Sequence, residues 1–132
     1  MPSRIRNITA DSADPWAIAR FWAAALDLPV HPDNEPGDDE VGVALDAARP
    51  NDGELIFQRV PEPKTVKNRF HLCLEPSTTR EDEVARLLGL GAVVVHDRTL
   101  PDGTGWVVMG DPDGNEFCVL RSAAERSASG QA

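Results

Sequence analysis

The 132-residue sequence has no tyrosine, two cysteines, two methionines, and 13 lysines and arginines against 22 aspartates and glutamates. That shortage of cations leaves a formal charge of −9 and argues against nucleic acid or an anionic membrane as a partner, because both are bound by basic surfaces. No run of 18 apolar residues occurs, and the first residues are not a charged segment followed by an apolar one, so neither a membrane span nor a secretory signal is expected. A cytoplasmic protein is the expectation. Cys73 and Cys118 each sit in an apolar strand pattern and read as packed free thiols, since a disulfide needs an oxidising compartment for which nothing here speaks. The length suits one domain with a real core.

What the chain does contain is one sharply written hairpin. Trp106 to Leu120, WVVMGDPDGNEFCVL, joins two strand patterns through Asp111-Pro112-Asp113-Gly114-Asn115. Pro112 pre-sets its φ, the aspartates can bond nearby backbone, and Gly114 supplies a positive φ. Period-2 alternation then puts Glu116, Cys118 and Leu120 on one face and Phe117 and Val119 on the other.

The remaining pattern is a duplication. Residues 4–10 read as a strand, Asp14-Pro15 as a helix start, and Ile18, Phe21, Trp22 and Ala25 as an apolar stripe at i, i+3, i+4 and i+7. The order recurs with residues 69–75 as a strand, Thr78-x-x-Glu81 as a capping box, Val84, Leu87 and Leu88 as the stripe, and Gly89 or Gly91 near the stop. Asn7 thereby matches His71. Three strand candidates follow each helix: 28–31, 41–46 and 54–60, then 92–97, 105–110 and 116–121. Each half is β-α-β-β-β, and neither is expected to cover its own sheet alone. Phe57, Phe70, Leu72, Phe117 and Val119 are expected to pack under the helices, while Gln58, His71, Cys73 and Cys118 share the other surface with Glu116 at its rim.

Three segments are irregular. Residues 31–40, HPDNEPGDDE, have the composition of an exposed loop, readable as a solvated connection or a lid. The linker 61–68, with Lys64 and Lys67 and the adjacent Arg69, either contacts an anion or pairs with acidic surface, and Asn68 is placed to bond the linker's own backbone. The polar tail 122–132 should be frayed or briefly helical.

DPWAIARFWAAALDLPV, VPEPKTVKNRFHLCLE and DPDGNEFCVL, in that order and spacing over residues 4 to 121, resemble the glyoxalase-like branch of the vicinal oxygen chelate superfamily (glyoxalase/bleomycin resistance/dioxygenase). The resemblance implies an α+β domain over 1–121, with two βαβββ modules at about 4–60 and 69–121 forming a cup-shaped mixed sheet with helices outside. It also implies a small-molecule ligand, and leaves a homodimer open. Carried over position by position, the family's metal positions fall on Asn7, Gln58, His71 and Cys118. His71 and an ionised Cys118 are good ligands, whereas Asn7 and Gln58 offer neutral amides that bind divalent transition metals weakly. A metal is therefore not assigned. If one binds, His71, Cys118 and Glu116 would hold it, or a softer His71, Cys73, Cys118 cluster. The expected ligand-binding residues are Gln58, His71, Cys118, Glu116, Asn7 and Cys73. Two roles stay open: a binding or atypical enzymatic role without the usual metal, as in antibiotic-sequestering members, and a divalent-metal-dependent lyase, isomerase or dioxygenase acting on a small oxygenated substrate.

Overall fold

A computed structural model describes residues 2–128, which divide into two compact units between Lys64 and Thr65. The boundary falls inside the expected linker. The class is α+β, with one small mixed sheet in each unit. Among the described residues no helix is long and apolar enough to cross a membrane.

The first unit contains β1 (Asn7–Ser12), α1 (Pro15–Leu26), β2 (Glu40–Ala44) and β3 (Glu54–Arg59). Its sheet runs β1-β3-β2, with β1 parallel and β2 antiparallel to β3. The strand expected at 28–31 is reduced to one bridge, Val30 to Val43. Pro29 and Pro32 have no N–H to donate, so the ladder there ends after His31 N–H bonds Gly42 and Ala44 N–H bonds Pro29. Helix α1 starts as the sequence dictates. The Asp14 carboxylate accepts from Ala17 N–H at 3.3 Å, Pro15 takes the first helical position, and Ile18, Phe21, Trp22 and Ala25 are buried. Alternation puts Leu55 and Phe57 on the face where α1 packs, which leaves Asn7, Thr9, Asp11, Glu54, Ile56 and Gln58 on the opposite face.

The loop at 31–40 is tied down. His31 is buried, its Nδ1 accepts from Asp33 N–H at 3.1 Å, and its Nε2 lies 2.7 Å from Asn51 Oδ1. Those partners select the tautomer with the proton on Nε2. Asn34 accepts from Gly42 N–H and donates to Asp38 and Glu40, so the loop is a hydrogen-bonded turn assembly fastened to β2. Composition could not reveal this, because the partners lie up to 20 residues away.

The second unit contains β4 (Cys73–Leu74), α2 (Arg80–Leu90), β5 (Val93–Asp97), β6 (Val107–Gly110), β7 (Glu116–Val119) and α3 (Ala123–Ala128). The sheet order is β4-β7-β6-β5, with β4 parallel to β7 and the other pairs antiparallel. This is the expected β-α-β-β-β order, and β5 carries an irregularity between Val94 and His96. Leu87 of α2 and Met109, Phe117 and Val119 of the sheet are fully buried and form the unit's core.

Four expectations need correction. The strand at 69–75 shrinks to Cys73–Leu74, and Phe70 is 95% exposed instead of packed, because no strand pairs alongside it. The α2 cap is Thr79, whose hydroxyl accepts from Asp82 N–H at 3.1 Å, one residue beyond the expected Thr78–Glu81 box. Leu88 of the expected stripe is 45% exposed. The Asn68 side chain bonds β7 and not the linker's own backbone: it accepts from Glu116 N–H at 3.0 Å, while the Asn68 N–H donates to the Glu116 carboxylate at 2.7 Å. The tail is helical over α3, and Ser122-x-x-Glu125 is a capping box: Ser122 N–H donates to Glu125 at 2.9 Å and Glu125 N–H to the Ser122 hydroxyl at 3.1 Å. That signal was present in the sequence and was missed. Residues 129–132 of the tail lie outside the described residues.

Candidate functional site

The hairpin that sets the site is held by Asp111. Its buried carboxylate accepts from Asp113 N–H at 3.0 Å, Asn115 N–H at 2.8 Å and the Asn115 side-chain amide at 3.3 Å. Gly114 closes the turn onto Asp111 C=O with φ +87°, a conformation other residues rarely adopt. The turn fixes the β6–β7 register, in which Val108 faces Cys118 and Gly110 faces Glu116.

Across the other edge of β7, Cys73 is the parallel register partner of Cys118. Ladder bonds from Cys118 N–H to Leu72 C=O at 2.8 Å and from Leu120 N–H to Leu74 C=O at 2.9 Å hold the two strands there. Partners in a ladder point to the same face, and His71, two residues before Cys73, projects with them. The result is a cluster in which the donor atoms of His71, Cys73 and Cys118 all lie within 4.8 Å of one another. Cys118 is buried, whereas His71 and Cys73 are exposed, so the cluster opens outward. Both cysteines are free thiols. Burial pushes the Cys118 thiol above its ordinary pKa and the neighbouring Cys73 adds to the rise, while the cations Lys67 and Arg98 oppose it. Cys118 is thus not an activated nucleophile.

Of the other expected site residues, Glu116 belongs to the same unit and Asn7 and Gln58 to the first unit. Glu116 is half-buried one register step away, with its carboxylate on Asn68 N–H, and stands outside the His71–Cys73–Cys118 group. Asn7 and Gln58 are both exposed on the first unit's sheet. Asn7 is paired with Glu54 and Gln58 with Asp11, at opposite ends of the β1–β3 ladder. Four residues at about 3.3 Å each separate the two by roughly 13 Å, so they do not converge on one ion. Gln58 instead borders an open depression of about 650 Å³ with Ala13, Asp39, Glu40, Arg59, Val60 and Pro61. Arg59 is fixed there by Asp39 at 3.0 Å and by the Ala13 carbonyl at 2.8 Å. The family's metal does not fit its four inherited positions in this chain: two are amides, and those two stand apart.

Sequence reasoning missed Arg80. Its buried guanidinium donates to the carbonyls of Gly105 at 2.8 Å and Gly103 at 2.9 Å, while its N–H donates to Glu125 at 2.7 Å. It joins the start of α2 to the β5–β6 loop and to α3, a structural role that no local pattern announced.

The fold recurs in solved structures at 15–22% identity in the eight compared. A hypothetical protein from S. aureus is 20% identical with a TM-score of 0.66, covering 92% of this chain and 95% of that one. A glyoxalase-related enzyme from Fulvimarina pelagi is 17% identical, TM-score 0.64, covering 90% and 88%. A lactoylglutathione lyase from Agrobacterium tumefaciens is 18% identical, TM-score 0.60, covering 90% and 93%. No curated protein matches the chain. The glyoxalase-like domain model matches residues 7–120, which spans both sheets and the hairpin that places Cys118, and the chain therefore belongs to the glyoxalase-like domain family of the vicinal oxygen chelate superfamily.

Proposed function

We propose that this protein binds a small organic molecule on the sheet face that carries His71, Cys73 and Cys118, in a binding or atypical enzymatic role that does not use the family's four-ligand metal centre. The observation that carries the reading is the convergence of these three side chains around the Cys73–Cys118 pair of the β4–β7 ladder. The row continues through Val108, register partner of Cys118, so a few polar groups sit beside apolar wall, as in most small-molecule sites. His71 supplies a hydrogen bond in either direction, and the net charge of −9 favours a cationic or neutral ligand over an anion. The alternative, a divalent-metal-dependent lyase, isomerase or dioxygenase, needs strong ligands where Asn7 and Gln58 offer only neutral amides.

Calorimetric titration with bleomycin, a cationic drug-sized probe, tests the reading. Binding should be measurable, and His71→Ala should weaken it by about 0.5–1.5 kcal/mol, roughly 2- to 13-fold, through one lost hydrogen bond. Methylglyoxal with glutathione should not be turned over. Absence of bleomycin binding, indifference to His71→Ala, or robust lyase turnover would each overturn the proposal.

A further inference from the structure

The disagreement between the family's metal positions and this chain's residues has a positive side. We infer that His71, Cys73 and Cys118 form a three-ligand site for a borderline-to-soft metal ion of the zinc class, in which Cys73, outside the inherited positions, joins the two inherited positions that can bind well. The inference rests on the reading above for the place of the site and names what the site takes.

Geometry supports it first. With zinc–sulfur bonds near 2.3 Å and zinc–nitrogen bonds near 2.0 Å, tetrahedral donors stand roughly 3.3–3.8 Å apart. The three donors already lie within 4.8 Å, so contraction of about 1 Å completes the set. The exposed side chains of His71 and Cys73 can supply that movement by χ rotation, while buried Cys118 stays as the fixed post. The strand backbones need not move, since the ladder bonds on both sides of the Cys73–Cys118 pair are made.

Donor chemistry then selects the ion. Two thiolates and an imidazole suit zinc or copper(I), and they are poor partners for magnesium, calcium or manganese, which require oxygen. The carboxylate of Glu116, which could harden the site, bonds Asn68 N–H at 2.7 Å instead. A coordinating ion deprotonates a thiol outright, so the protonated resting state of Cys118 is no obstacle. Three protein ligands leave a fourth position open on the exposed side, where a donor atom of a small molecule could attach.

The test is titration of reduced, chelator-treated full-length protein with cobalt(II), read by absorption. One equivalent should produce a thiolate-to-cobalt charge-transfer band, abolished by zinc in competition. Cys73→Ala removes an exposed side chain and leaves the core intact, and it should weaken cobalt binding by about 100-fold or more, beyond the effect of losing an outer partner. Glu116→Gln should leave the band in place. Absence of the band, its survival in Cys73→Ala, or manganese binding that is lost in Glu116→Gln would overturn the inference. None of these readouts needs an organic ligand, so failure here is distinguishable from failure of the bleomycin titration.

Discussion

Replacing Asp111 by alanine should destabilise the protein by about 3 kcal/mol. The carboxylate is 4% exposed and accepts from two backbone N–H groups and one side-chain amide. Hydrogen bonds to a charged group contribute about 1.5–3 kcal/mol each, and a buried donor left without a partner costs about 1–3 kcal/mol. Partial access of water to the Asp113 and Asn115 N–H groups holds the sum near the value of two bonds and not three. Asp111→Asn keeps an acceptor for both backbone donors while setting its own amide against that of Asn115, so it should cost about 1 kcal/mol. Urea unfolding followed by circular dichroism measures both variants on one scale. Because the same turn sets the register of β7, Asp111→Ala should also weaken cobalt binding by His71, Cys73 and Cys118. Equal losses in the two variants, or an alanine variant within 0.5 kcal/mol of the parent, would show that the carboxylate does not hold the turn.

Phe117→Ala should cost about 3–5 kcal/mol by urea unfolding, since the ring is 1% exposed, whereas Phe70→Ala, at 95% exposure, should stay within about 0.5 kcal/mol; a large loss at Phe70 would refute its placement. At Glu125, burial works to raise the carboxyl pKa, but the N–H groups of Ser122 and Arg80, the Ser122 hydroxyl and the Arg80 charge outweigh it and hold the group below its ordinary 4.5. A depressed folded value means that the stabilisation is complete above the ordinary value and is lost as pH falls through the folded one. The stability gap between the parent and Glu125→Gln should therefore be constant at neutral pH and close on acidification below about pH 4.5; a gap independent of pH would contradict this account.

Punctuation was legible in the chain from residue order alone. The Asp14-Pro15 start of α1, the left-handed stop at Gly91 and the Asp111–Asn115 turn are local stereochemistry, set by φ preferences and by side chains that reach no further than four residues. Face assignment by alternation likewise separated Cys118 from Phe117, and it kept His71 with Cys73, before any pairing was known. Which strands pair was another matter. Cys73 and Cys118 meet because two segments 45 residues apart align in parallel at one register, and a slip of one residue would turn a thiol away from its partner. The exposure of Phe70, the fastening of loop 31–40 by Asn51 and the capture of Glu116 by Asn68 arise in the same way, from partners 20 to 48 residues distant or from a partner strand that ends too soon. Local sequence writes the caps, turns and faces because their energies are local. Sequence could offer His71, Cys73 and Cys118 as a candidate cluster, but the convergence of their donors was decided by tertiary structure, because only the hydrogen-bond register between distant strands brings them together.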